Sequence, residues 1–326
     1  MKYIALPDNR TRRLSFYLAM EEYVAKALNN DGDCFFMWQV NPSVIFGRNQ
    51  LIENEVNLPF CQKRGIEIYR RKSGGGCVYA DLSNVMFSYI TQDENVNLTF
   101  NRYTNMVALI LCKLGIEAKA TGRNDILING RKVSGNAFYH IPGHSIVHGT
   151  MLYDTDMENM VGAITPTDEK LISKGVKSVR QRVALLKDYT TLSLEEFKDF
   201  VRKNLCNEER ILNSYDIEQI EQLEQEYLSE DFILGNNPRY TMIRKKRIEN
   251  VGDVEVRMEL KNGVIRKLNI LGDFFVVGDI DNRLIRPLIG VALNQQELTL
   301  ALPDRLDDII LNLKKENLIE LLLKTS

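Results

Sequence analysis

This chain of 326 residues has little cysteine, and what it has is poorly placed for cross-linking. Cys34, Cys61, Cys77, Cys112 and Cys206 are odd in number and contain no C-x-x-C pair, which argues against a disulfide framework and against a thiolate zinc site. A reducing cytoplasm is the expected setting, with the thiols serving as small buried apolar groups. Charge of one sign is lacking too. Forty-two Lys+Arg against 44 Asp+Glu leave a net −2, so no global field draws the chain to nucleic acid or to an anionic membrane, and any anion site must be local. No apolar run approaches the roughly 20 residues of a membrane-spanning helix; the longest, from Met106 past Cys112, stops at Lys113. Met1 to Leu6 runs straight into Pro7, Asp8 and a basic segment, without the apolar core of a secretory signal. Repeats and low-complexity segments are absent. Histidine is sparse, and the spacing of His140, His144 and His148 by four suggests a metal-binding helix face. Pro142-Gly143 interrupts such a helix, and no carboxylate or thiol has matching spacing. His148 is expected instead on a strand or loop near a site.

What is present is a succession of helix and strand signals. Phe16 to Leu28 has apolar residues at helical spacing and stops at Asn29-Asn30-Asp31-Gly32. Cys34 to Val40, Ser43 to Gly47, Ile66 to Tyr69, Cys77 to Tyr79 and Asn84 to Ile90 read as strands, and Leu98 to Leu114 as a helix. Asn129-Gly130 is a hairpin turn between Asp125–Ile128 and Arg131–Ser134. Leu194 to Leu205 and Asp216 to Tyr227 read as charged amphipathic helices. Val251 to Leu260 and Val264 to Leu271 flank Lys261-Asn262-Gly263 as a second hairpin, and the tail after Pro303 reads as two short helices. The expectation is an α/β (α+β) protein with mixed sheets and flanking helices. A large domain would cover residues 1–247 and a small α+β domain 248–326, divided by a composition shift near Arg247 to Asn250.

Three stretches concentrate the unusual chemistry. In the first, Arg70, Arg71 and Lys72 precede Ser73, Gly74, Gly75 and Gly76. Glycines let successive N–H groups approach an anion, and the cations add charge-assisted bonds; a flexible turn beside a solvated basic edge has the same sequence. In the second, the Asn129-Gly130 turn presents Lys132, with Ser134 and Gly135 just after it. A lysine so placed can stabilise charge at a reacting acyl carbon, and Asn124 and Asp125 can meet a nucleotide or its magnesium. The third, Ser173 to Val183, carries Lys174, Gly175, Lys177, Ser178, Val179, Arg180 and Arg182. A basic loop closing over phosphate has this composition, as does a solvated loop.

Taken in order, RRKSGGGCVYADLSN, GRNDILINGRKVSGNAFY, HGTMLYDTD and SKGVKSVRQRV resemble the lipoate–protein ligases, the bacterial type with a small C-terminal accessory domain. The motifs span roughly residues 10 to 190. The resemblance implies a two-step reaction: lipoate and MgATP give lipoyl-AMP and pyrophosphate, then the lipoyl group passes to a lysine of a carrier. It implies that Lys132 contacts the acyl and phosphoryl parts of the adenylate. Arg71, Ser73, Gly74, Gly75, Gly76, Cys77 and Val78 would line the lipoate and phosphate channel, with Ser134, Gly135, His148, Gly149 and Thr150 nearby. Asn84, Asn124 and Asp125 would serve nucleotide and magnesium, and Lys174 to Val183 would cover the adenylate. Glu21 and Trp38 would lie near the lipoyl entrance. The implied partners are apo lipoyl domains or the glycine-cleavage H protein, met by a monomer.

Three positions depart from the family pattern. Ala80-Asp81 stands where His-Asp is common, Ser83 replaces the glycine before Asn84, and Cys77 replaces a frequent alanine. Cys77 keeps open the related octanoyltransferase chemistry through a thioester. Retention of Lys132 and the glycines argues against a catalytically idle carrier-binding protein, and no Gly-Arg-Gly-Arg motif supports a biotin ligase.

Overall fold

The computed structural model describes residues 1–28, 32–92, 95–121, 124–164, 182–234 and 242–324. In the N-terminal part, the strands are β1 (Lys2–Ala5), β2 (Cys34–Trp38), β3 (Ser43–Phe46), β4 (Glu67–Arg70), β5 (Val78–Ala80) and β6 (Val85–Thr91). They continue as β7 (Ala118–Ala120), β8 (Asp125–Ile128), β9 (Arg131–Ile141), β10 (His144–Met151) and β11 (Glu208–Ile211). Eight of these form one mixed sheet, ordered β11-β1-β2-β6-β10-β9-β8-β7, and β4-β3-β5 form a second, small sheet.

Strand alternation decides where the site lies. Trp38, Met86, Thr150 and Gly135 are register partners across β2, β6, β10 and β9, and Phe36, Ser88, His148 and Ala137 follow two residues along. Side chains two apart share a face, so these eight positions look the same way. The helix Leu14–Tyr23 covers that face and is buried along its whole length. Its outer side meets the helix Ser214–Leu228, where Ser15 Oγ donates to Glu224 at 2.5 Å and Tyr23 to Asp216 at 2.5 Å. The opposite sheet face, with Phe35, Phe87, Val133, Phe138 and Val147, packs against the helices Val96–Lys113 and Leu194–Leu205.

A second core lies in the C-terminal unit, where β12 (Met242–Ile248), β13 (Gly252–Lys261) and β14 (Val264–Gly272) form an antiparallel sheet. Val254, Val256, Met258 and Ile270 pack there against Leu298, Leu318 and Leu322. The boundary expected at 247/248 falls inside β12. That strand is bonded along its length to β13, with Ile248 paired to Gly252, so the unit includes Met242 onward. Composition alone missed this because the basic run Arg244 to Arg247 resembles the preceding charged helices rather than a strand.

Other expectations need smaller corrections. The first helix turns into a wider π-type coil at Val24–Leu28. After Pro303 there is one helix, Lys315–Leu323, while Gln295–Ala301 precedes the proline. His148 lies on a strand, one of the two settings expected for it: β9 runs through Ile141, and β10 starts at His144 with Gly143 in the left-handed turn.

The two units meet at the glycine loop. Gly75 N–H donates to Phe274 O at 3.2 Å, and Gly272 N–H donates to Asn49 O at 2.7 Å. Phe275 then crosses into the core of the N-terminal unit, stacking on Phe138 at 5.3 Å and lying beside Phe100. Gly75 has φ +85°, and a Cβ on Gly74 would sit 2.4 Å from Phe274 O. The loop is glycine because another backbone lies on it.

Two predictions follow from packing and charge. Phe275→Ala empties a buried aromatic site and should cost about 3–5 kcal/mol in denaturant unfolding; a loss below about 1 kcal/mol would contradict the shared core. Burial by itself would raise the Glu22 carboxyl, but Lys72 at 2.8 Å and the Tyr227 hydroxyl reverse this and hold it below the usual glutamate range. Its stabilisation is therefore present above the unfolded pKa and lost as pH falls through the lowered folded value. Lys72→Met should consequently lower the melting temperature more at pH 7 than at pH 4, and an equal effect at both would refute the assignment.

Candidate active site

A partly open cavity lies between the helix Leu14–Tyr23, the central sheet and the glycine loop. Leu18, Trp38, Ile45, Met86 and Ala137 make its apolar part. Asn124, Lys132, Arg182, Arg247 and Asp273 add polar and charged groups to the same wall. An apolar slot with a few converging polar groups is the usual form of a small-molecule site. Trp38 is fixed by stacking on Tyr17 at 4.9 Å and by donating Nε1–H to Ser88 Oγ at 2.9 Å.

The glycine loop is built around a buried cation. Arg71 donates from Nε to Ser73 Oγ (2.8 Å), from Nη1 to Ile45 O (3.1 Å), and from Nη2 to Gly74 O (2.6 Å) and Gly76 O (2.8 Å). Burial pushes its pKa down to about 10, which leaves it protonated at neutral pH. Ser73 Oγ lies 2.7 Å from His148 Nε2, and His148 Nδ1 lies 2.9 Å from Glu21. Glu21 also accepts from Ser88 at 2.6 Å. With Nδ1–H given to the carboxylate, Nε2 accepts the serine proton, so the histidine tautomer is set by its partner. Serine, histidine and glutamate in this order look like a nucleophilic triad. Ser73 is fully buried, lies outside the cavity lining and already accepts from Arg71. The relay instead ties a buried cation to a buried anion and holds the loop in shape.

The other two cations of the basic run also turn inward. Arg70 donates to Arg48 O and Gln50 O at 2.6 and 2.9 Å, and Lys72 pairs with Glu22 and Glu226. The run shapes the loop through the protein's own oxygens, which corrects the expectation of an open anion cradle.

Lys132 stands opposite the loop. Its Nζ is 2.8 Å from Asp125 Oδ1, and Arg182 Nη2 is 3.2 Å from Asp125 Oδ2. The strand carrying Lys132 is continued by Val183, which bridges to it in parallel, while Ala184 N–H donates to Lys132 O at 2.7 Å. Gly135 makes room for the lysine: a Cβ there would lie 2.3 Å from Nζ.

Of the residues expected from sequence, Trp38, Arg71, Gly75, Gly76, Cys77, Val78, Asn124, Lys132, Gly135, His148, Gly149, Thr150 and Arg182 line the one cavity. Ser73, Gly74, Ser134, Asp125 and Val183 lie behind them. Glu21 is not at an entrance but completely buried behind His148. Asn84 is absent from the lining; its Oδ1 accepts from Tyr153 N–H and Thr155 Oγ, tying β6 to the chain after β10. Lys174, Gly175, Ser178, Val179 and Arg180 lie outside the described residues. Leu18, Ile45, Met86, Asn136 and Ala137 were missed because apolar periodicity does not separate a cavity wall from a core; for Asn136, the second residue of GNAFY, the motif was a usable signal. Arg247 and Asp273 come from the other unit, where no motif pointed to a site.

A sequence profile of the lipoyl protein ligase A/B catalytic domain matches residues 14–206, and one of the bacterial lipoate protein ligase C-terminus matches residues 237–322. The chain is 36% identical over 274 residues to lipoate-protein ligase LplJ of Bacillus subtilis, covering 81% of this chain and 82% of that protein. It is 36% identical over 298 residues to lipoate–protein ligase 1 of Staphylococcus aureus, covering 89% and 90%. Its fold is similar to that of P. falciparum LipL1, crystallised in complex with lipoate, with TM-score 0.74 at 21% identity over 99% of this chain and 98% of that one. A lipoate-protein ligase A bound with ATP gives TM-score 0.62 at 24% identity, over 72% and 99%. With one profile on each unit and both relatives spanning most of the chain, this protein belongs to the lipoate–protein ligase family.

Proposed function

We propose that the chain is an ATP-dependent lipoate–protein ligase that makes lipoyl-AMP and passes the lipoyl group to a lysine of an apo lipoyl domain or of the glycine-cleavage H protein. One observation carries the reading: an apolar slot walled by Leu18, Trp38 and Met86 shares a single cavity with Lys132, Arg182 and Asn124. On this reading the apolar slot takes the acyl chain and the polar groups take the phosphate. In the first step a lipoate carboxylate oxygen attacks the α-phosphorus and pyrophosphate leaves. In the second, the carrier amine attacks the acyl carbon, AMP leaves and the amide loses a proton. The nucleophiles come from the substrates, so the protein supplies position and charge.

Lys132 is the group placed to neutralise phosphoryl oxygen in the first step and the developing acyl oxyanion in the second. Asp125 holds it ready, and His148 and Arg71 fix the opposite wall. Among the described residues no cluster of three or more His, Cys, Asp or Glu could hold a metal. The proposed magnesium arrives with the nucleotide, an ion that needs few protein carboxylates when phosphates and water complete its shell. Asp125 is the carboxylate proposed to meet it, once Lys132 and Arg182 turn to phosphate. No helix of the described residues is long and apolar enough to cross a membrane. The proposed setting, on the family reading, is the cytoplasm, and the proposed active form a monomer.

Incubation with lipoate, MgATP and an apo lipoyl domain should add the mass of one lipoyl group to the carrier lysine. Lys132→Ala should abolish this while the variant still folds, as judged by a cooperative melting transition. Gly135→Ala keeps the lysine but displaces it, and should slow adenylation by roughly 100-fold, the scale of losing one transition-state donor. Cys77→Ser should remain active. Carrier modification from an octanoylated donor but not from lipoate and ATP, lost in Cys77→Ser, would replace the ligase reading with acyl transfer through a thioester.

A further inference from the structure

The C-terminal unit does more than cover the catalytic one: it puts a cation into the cavity. Arg247, on the edge strand β12, lines the same pocket as Lys132, Arg182 and Asn124. Its side chain is only 16% exposed and reaches Asp253, its register partner on β13, through Nη1 at 3.0 Å. The Asp253 N–H in turn donates to Asp273 Oδ1 at 2.6 Å, and Asp273 lines the cavity as well. This corner is anchored to the catalytic unit on the next residues of the chain, by Gly272 N–H on Asn49 O and by Gly75 N–H on Phe274 O. Arg247 is therefore a positioned group, not a surface side chain that happens to lie close.

We propose that Arg247 is a phosphate-contacting residue of the adenylation site, supplied by the C-terminal unit. The inference rests on the ligase reading and extends it. A guanidinium offers five N–H donors in a rigid fork, and one carboxylate oxygen at 3.0 Å uses a small part of that capacity. Oxygens of a nucleotide phosphate are the natural second partner, because charge-assisted bonds to phosphate are strongest where water is excluded. Lys132 and Arg182 already share one carboxylate. Among the described residues, Arg247 is the cation that the C-terminal unit adds to this cavity, opposite the pair on the catalytic side. The catalytic unit alone would then hold the acyl chain but bind nucleotide poorly.

The full-length protein tests this by calorimetric titration with MgATP, AMP and adenosine, alongside lipoate-dependent exchange of pyrophosphate into ATP. Arg247→Met should weaken MgATP at least tenfold and adenosine less than twofold. In exchange, the KM for ATP should rise with the KM for lipoate within twofold of wild type, and Arg247→Lys should recover part of the loss. Melting curves establish that both variants fold. Wild-type MgATP affinity in Arg247→Met would overturn the proposal, as would equal losses for MgATP and adenosine, which indicate general distortion. If the wild type binds MgATP with this Arg247 dependence yet shows no lipoate-dependent exchange, the ligase reading fails while the phosphate contact stands. If the wild type binds no MgATP, both fall.

Discussion

The burial of one guanidinium organises this protein. Arg71 gives four hydrogen bonds to loop and strand oxygens. A buried charge is normally costly. Here the cost is met by carbonyl dipoles gathered from Ile45, Gly74 and Gly76, and by the relay through Ser73 and His148 to Glu21. Carbonyls can converge on one side chain only if the backbone bends around it, so the cation dictates the curve of the loop. That curve exposes the Gly75 N–H to Phe274 and closes one wall of the cavity. Loop, cavity and unit interface thus descend from a single satisfied charge.

Much of the fold was legible because strand and helix periods are local. The Asn129-Gly130 hairpin, the helix Leu194–Leu205 with its Ser193 and Glu196 capping box, and the β13–β14 hairpin all have their signals within a few residues. What escaped depends on distant partners. β1 and β11 are four-residue strands paired in parallel from positions about 200 residues apart. β11 is exposed along its whole length, so it shows no alternation. The boundary was misplaced for a similar reason: Arg247 reads as part of a charged run until its pairing with Asp253 is seen.

The candidate site divides in the same way. Residue types that chemistry needs were readable as types: a lysine beyond a turn, an asparagine before it, small residues where side chains must pass. Their directions were not. Three cations before three glycines have one composition whether their donors point at a ligand or at the loop's own carbonyls. The distinguishing residues, Phe274 and Phe275, sit in the other unit. Ala80 shows a further limit: it is fully buried, in the same core cluster as Trp38 and Met86, and is not part of the cavity lining.

The double pairing of Asp125 has a consequence for how the site is loaded. In the free protein Lys132 and Arg182 are already desolvated against one carboxylate, so they do not wait as hydrated ions. On the proposed reading, arrival of a phosphate would be an anion exchange, with Asp125 as the resident counter-ion. Such an exchange would discount ground-state affinity, because the incoming anion must displace one already bound. It would work in reverse when AMP departs, as the carboxylate reclaims its cations. Asp125 would thereby act as an internal buffer of charge that keeps nucleotide binding weak enough for turnover.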